Sequence, residues 1–84
     1  MMEKTLAYLR ETLSNYTEKD PVSVTLMNMI ENGNYSSEGA LVRDLTFEQN
    51  DYLNKILQWE IEYAKNEQDE QRARQLNEVF ELLF

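Results

Sequence analysis

Residues Ala40 to Phe84 read ALVRDLTFEQNDYLNKILQWEIEYAKNEQDEQRARQLNEVFELLF and contain neither glycine nor proline. The run is rich in Leu, Glu, Gln, Lys, Arg and Ala, the residues that lose least free energy on entering a helix. It covers more than half of the 84-residue chain. The sequence therefore predicts a protein built mainly of helices.

Thr46 and Gln49 give the clearest boundary in this run. They match a capping box, in which each side chain bonds the backbone N–H of the other residue. A long helix is predicted to follow, with apolar residues at helical spacing along one face. That face contains Leu53, Ile56, Leu57, Ile61 and Ala64, widened by Tyr52, Trp59 and Tyr63.

A second apolar stripe follows eight polar residues, 65–72, and contains Ala73, Leu76, Val79, Phe80 and Leu83. At about 100° per residue, it is rotated roughly 110–130° from the first stripe. One continuous helix would present two different faces, whereas a break near residues 66–69 would allow a helical hairpin. We favour the continuous helix slightly, because no residue in the polar stretch forbids it.

Three shorter helices are predicted upstream. The first spans 5–16, with Thr5 as its candidate N-cap. The second starts at Asp20-Pro21, since Asp suits an N-cap and Pro the first helical position, and Gly33 is the expected left-handed stop. The third opens at Ser36 or Ser37 and runs to about residue 45. The β-branched residues of 22–25 leave a short strand as the alternative for the second helix.

The fold prediction is a single all-α domain over 1–84. It is a small helical bundle, with three shorter helices packed on a long C-terminal helix or helical hairpin. A chain of this size buries only about 60–65 % of its unfolded surface and supports one modest core.

The composition excludes several functions. The chain has no His and no Cys, and it carries 16 acidic against 8 basic residues, a formal charge of −8. These absences remove the commonest catalytic and metal-binding groups, so we expect no enzyme, no catalytic residues, no metal and no cofactor. The charge disfavours nucleic-acid and anionic-membrane binding. No apolar run approaches the roughly 18 residues of a membrane span, and the predicted location is cytoplasmic.

The candidate interaction surface contains two groups of residues. Trp59 and Tyr63 are expected to pack in the core, with a partner-binding face as the alternative. The apolar end, with Val79, Phe80, Leu83 and Phe84, must dock on its own domain, on a second subunit or on another protein. The predicted partner is therefore a second copy of the chain or an unidentified protein.

Two ordered blocks carry a resemblance to a known family: Thr5-Leu6-x-Tyr8-Leu9-Arg10-Glu11-x-Leu13-Ser14-Asn15 and Asn66-Glu67-Gln68-Asp69-x-x-Arg72-Ala73-x-x-Leu76-Asn77-Glu78-Val79-x-Glu81-Leu82-Leu83. With Leu45, Leu53-Asn54 and Glu60-Ile61-x-Tyr63-Ala64 between them, the chain resembles short sporulation-specific proteins of endospore-forming bacilli. That family is expressed in the forespore under the sigma-G factor and is sometimes grouped with small acid-soluble spore proteins. The resemblance departs between Thr17 and Ser37.

The resemblance implies a cellular context, the forespore or spore interior, and supplies no catalytic or ligand residues. The leading hypothesis is a non-enzymatic forespore protein that acts through protein–protein contacts. The alternative is a spore packing or storage protein of the small acid-soluble type, without direct sequence-specific DNA binding. Such a chain would be largely unstructured alone.

Overall fold

A computed structural model describes residues 3–83. These residues form five helices: α1 (Lys4–Ser14), α2 (Pro21–Asn32), α3 (Glu38–Arg43), α4 (Phe47–Asn66) and α5 (Glu70–Phe80). The body has a radius of gyration of 11.7 Å and extents of 31 × 27 × 23 Å. The described chain has no strand, so the predicted all-α bundle is confirmed.

The start of α1 differs from the prediction. Glu3 is the N-cap, and its carboxylate accepts hydrogen bonds from the backbone N–H of Thr5 (3.0 Å) and of Leu6 (3.3 Å). Thr5 lies inside the helix and is buried against α5. Its hydroxyl is 2.6 Å from Oε1 of Gln75 and 3.0 Å from Oε2 of Glu78. The candidate cap is thus a contact between the first and last helices.

The second helix spans the predicted residues, and the strand alternative is wrong. Asp20 occupies the N-cap position, but its carboxylate makes no capping bond and instead accepts from the Tyr52 hydroxyl at 3.0 Å. Gly33 is not a left-handed stop, since its φ is −86° and the positive φ of 53° belongs to Asn34. A Cβ at Gly33 would collide with the Tyr35 ring and, at 2.5 Å, with the Met29 carbonyl oxygen. The glycine is needed for space.

The N-termini of α3 and α4 follow the sequence signals closely. The Ser37 side chain accepts from the Ala40 N–H at 3.2 Å. The capping box of α4 is complete: Gln49 N–H donates to the Thr46 hydroxyl at 3.1 Å, and Thr46 N–H donates to the Gln49 side chain at 2.9 Å. Local side-chain bonds fix both helix starts.

The continuous C-terminal helix that we favoured is wrong, and the hairpin is correct. Gln68 takes a left-handed φ of 61° between α4 and α5. Its N–H donates to Lys65 O at 3.0 Å, and the N–H of Asp69 donates to Ala64 O at 2.8 Å. This pair of bonds is a Schellman motif, formed around glutamine in place of the usual glycine. The reversal turns both apolar stripes toward one interior.

The core is assembled from all five helices. It is almost entirely aliphatic, and its largest members are leucines. Its buried apolar residues are Leu6, Leu9, Leu13, Leu26, Ile30, Leu41, Leu53, Leu57, Ile61, Ala64, Ala73, Leu76 and Val79. The predicted stripes of α1, α4 and α5 supply most of them.

Candidate interaction surface

Three apolar C-terminal residues pack against the domain's own core. Val79 is fully buried, and Phe80 and Leu83 are half-buried against the core. Leu82 is 48 % exposed, while Phe84 lies outside the described residues. Three of the predicted interaction residues therefore stabilise the domain itself.

The aromatic residues of α4 are in a different position. Trp59 is 70 % exposed and Tyr63 is 57 % exposed, so the expectation that they pack in the core is wrong. Tyr52 lies on the same flank of α4, yet it is half-buried and its hydroxyl reaches Asp20. At about 100° per residue, Trp59 falls well beyond the edge of the buried face that Leu53, Leu57 and Ile61 define.

Trp59 and Tyr63 line a small surface hollow together with Glu62 and Asn66. We call these four residues the Trp59–Tyr63 patch. Its volume is about 110 Å³. All four lie within two turns of one well-formed helix, where residues three and four positions apart are neighbours. Rigid backbone therefore holds the rings and the carboxylate together.

The charge at the patch is negative. Glu62 is the patch's only charged residue, and its side chain is exposed. Lys55 precedes Trp59 by one turn, but its ammonium pairs with the Asp51 carboxylate at 3.2 Å, one turn farther away. Lys65 contributes to a separate groove between α4 and α5. A cation meeting the patch would thus face a carboxylate and two aromatic rings.

Two of the larger hollows have a different character. The groove between α4 and α5, about 370 Å³, combines cations with a carboxylate and is lined by Lys65, Glu70, Ala73, Arg74 and Asn77. A hollow of about 450 Å³ follows the polar link 17–20 and the start of α2. Within residues 3–83, no group of three or more acidic side chains is placed to hold a metal ion.

Several titratable groups form bonds that join different helices of the domain. The hydroxyl of Tyr16 donates to Glu60 at 2.7 Å, and burial, together with this carboxylate, raises the tyrosine pKa. Burial and the bond to Asp20 raise the pKa of Tyr52 to about 12. The Arg72 guanidinium pairs with Glu11 and Asp69, and the bond to Glu11 raises its pKa.

The sequence named Trp59 and Tyr63 as interaction candidates but missed Glu62 and Asn66. The signal for them was available, because both lie three or four positions from a ring and therefore share its helix face. The sequence did not show how exposed Trp59 and Tyr63 are, because their exposure depends on which flank of α4 the α1–α2 link covers.

Comparisons with known proteins show the family to which this chain belongs. A family model described as "CsgA: Minor curli fiber component A" matches residues 2–84. A curated protein of Bacillus subtilis (strain 168), the "Sigma-G-dependent sporulation-specific SASP protein", is 45 % identical over 83 residues, covering 99 % of this chain and 100 % of that protein. The chain belongs to this sporulation-specific family. No solved structure matches it.

Membership in the sporulation-specific family confirms the resemblance that the two sequence blocks carried. The matching relative is aligned across its entire length, so the alignment extends through α2 and α3 as well as the blocks in α1 and α5. Among the described residues, no helix is both long and apolar enough to span a bilayer.

Proposed function

We propose that this chain is a non-enzymatic protein of the forespore that works by binding another protein through the Trp59–Tyr63 patch. Its relative is named as sigma-G-dependent and sporulation-specific, which supports the setting. The exposure of Trp59 and Tyr63, at 70 % and 57 %, together with their position in one shared hollow, supports the proposal of a contact. Phe47 is also exposed, but it does not line that hollow.

The energetic argument rests on the kind of residue exposed. Trp and Tyr are enriched among the few interface residues that supply most binding free energy. An aromatic side chain buries about 150–250 Å² when fully covered, and Trp59 and Tyr63 each keep more than half of their surface exposed. A small domain with a limited core gains more stability from burying such rings than from exposing them. Leaving both in water is a cost that a binding role explains.

The folded body favours this role over packing or storage. A storage chain would gain nothing from complete helix caps or from a core that joins all five helices. Here the capping box, the Schellman motif and the buried leucines define one compact structure.

Site-specific photo-crosslinking in sporulating cells tests the proposal. A photoreactive amino acid replaces Trp59 or Tyr63 in the chain expressed in its host, and adducts are separated by mass. We expect a discrete protein adduct from both positions. Phe47 supplies the matched control, since it is an aromatic on the same helix that is 74 % exposed. Adducts from position 47 alone, or from none of the three, would overturn the proposal.

A further inference from the structure

We propose that the Trp59–Tyr63 patch binds the guanidinium group of an arginine side chain presented by a basic protein segment. This inference rests on the proposed function and names the chemistry of the partner. It comes from three observations: the size of the hollow, the residues that line it, and the charge of the surrounding chain.

The size of the hollow favours binding of a single side chain over binding of a metabolite. Small-molecule pockets measure about 300–1,000 Å³ and enclose most of the ligand. The patch offers about 110 Å³ on an open surface. That volume equals roughly three or four water molecules and suits one planar group at the end of a flexible stem.

The lining residues select a cation. Aromatic faces attract cations through the ring quadrupole, and tryptophan does so most strongly. Arginine also stacks on such rings through its flat guanidinium and keeps its charge at every physiological pH. Glu62 supplies a carboxylate acceptor, and Asn66 supplies an amide oxygen, within the same hollow. Lysine, a compact and strongly hydrated charge, uses this arrangement less well.

The charge of the chain decides between a second copy and a different partner. At −8, two copies repel each other, whereas a basic segment is attracted from a distance. Lys55, one turn before Trp59 on the same flank, is paired with Asp51. We therefore assign the patch to a basic protein.

Peptide titration of the full chain tests the assignment. Trp59 is the only tryptophan, so its fluorescence reports the patch directly. The probes are a peptide of alternating arginine and glycine, its lysine counterpart, and a citrulline counterpart that keeps the shape without the charge. We expect saturable changes in Trp59 emission with the arginine peptide, weaker binding of lysine and none of citrulline.

Calorimetric titration of variants separates the patch from diffuse charge attraction. Tyr63→Ala leaves the net charge unchanged and should weaken binding of the arginine peptide about fivefold. Glu62→Gln should weaken the same binding about threefold. Phe47→Ala and Glu18→Gln are the matched controls, an exposed ring and an exposed acid elsewhere, and should bind as the wild type does.

The outcomes distinguish this inference from the proposed function. Equal binding by all four variants, equal binding of citrulline, or no binding would overturn the arginine assignment. A dimer seen by sedimentation equilibrium would also overturn it, if Trp59→Ala dissociates that dimer and the arginine peptide does not. In each of these cases a crosslink from position 59 in cells would leave the protein-contact proposal standing. Peptide binding without any cellular crosslink would overturn the proposed function and the assignment to a basic protein, while the affinity of the patch for the arginine peptide would stand.

Discussion

Two buried hydroxyls show how differently single residues contribute to this fold. Ser23 Oγ donates to the Leu13 carbonyl at 2.7 Å and so joins α2 to α1. Thr12 is equally buried, but its hydroxyl has no hydrogen-bond partner. A buried polar group without a partner costs free energy, while a satisfied one is near neutral or favourable.

Thr12→Val should therefore stabilise the protein. Valine keeps the shape and removes the unpaired hydroxyl, for an expected gain of about 1–2 kcal/mol in the free energy of unfolding. Ser23→Ala is the contrasting change and should cost about 1 kcal/mol, since it removes a bond that is made. Urea unfolding measures both, and a loss of stability in Thr12→Val would contradict this account.

The two glycines should respond in opposite directions to alanine. Gly33→Ala places a methyl against the Tyr35 ring and the Met29 carbonyl, so we expect a loss of about 1–3 kcal/mol. Gly39 lies in α3, where a Cβ meets only the Ser37 hydroxyl at 3.8 Å. Gly39→Ala should gain about 0.5 kcal/mol from helix propensity. Thermal unfolding of both variants, followed by circular dichroism, tests these two expectations. Equal shifts in melting temperature would contradict them.

At the scale of the element, helix starts were easier to predict than helix ends. The caps at Ser37 and Thr46 and the proline start of α2 were predictable, because each uses a side chain suited to that position. The end of α4 was not, because a glutamine occupies the left-handed position where glycine is usual. The rotation between the apolar stripes indicated the reversal, but no glycine or proline marked its position.

Gln68→Gly should stabilise the hairpin. A residue with a side chain pays a steric cost in the left-handed region that glycine does not pay. We expect a gain of about 0.5–1 kcal/mol. Gln58→Gly, the same replacement in the middle of α4, should instead cost about 1 kcal/mol. Chemical denaturation compares the two variants, and destabilisation by both would show that the reversal carries no strain.

Across the whole molecule, tyrosine–carboxylate bonds join segments far apart in sequence. Tyr16 binds Glu60, and Tyr52 binds Asp20, so both fasten the α1–α2 region to α4. These hydroxyls keep their protons to higher pH in the folded state than in the unfolded state, where the pKa is 10.0. Their contribution is full below pH 10 and is lost as the pH rises toward the folded pKa, about 12 for Tyr52.

The stability of the wild type should accordingly fall between pH 10 and 12. The double variant Tyr16→Phe/Tyr52→Phe should be less stable at pH 8 and should show a shallower alkaline decline, since it has no such protons to lose. Urea midpoints collected at intervals from pH 8 to 12 measure the slopes. Identical slopes in the two proteins would show that these bonds do not couple stability to pH.

The C-terminal residues should behave as part of the core. Phe80→Asp/Leu83→Asp introduces two charges at half-buried sites, for an expected loss of about 2–4 kcal/mol. Leu82→Asp is the control at a largely exposed neighbour and should change stability by less than about 1 kcal/mol. Melting and sedimentation are measured together. A change in mass without a change in stability would place these side chains in an interface between copies.

The candidate site was predictable in its residues and not in its exposure. By periodicity, Trp59 and Tyr63 lie beyond the edge of the buried stripe, where coverage of a side chain depends on the neighbouring segments. Tyr52, at a similar angle, is covered because the α1–α2 link reaches it. Only the folded structure shows that the α1–α2 link leaves Trp59 exposed.

The contact between α1 and α5 has a consequence for synthesis. The hydroxyl of Thr5 meets Gln75 and Glu78, and Arg72 meets Glu11, so α1 contacts α5, which is synthesised after the other four helices. While α5 is still inside the ribosome, the surface of α1 that contacts α5 has no partner. The domain therefore closes only after α5 has emerged from the ribosome.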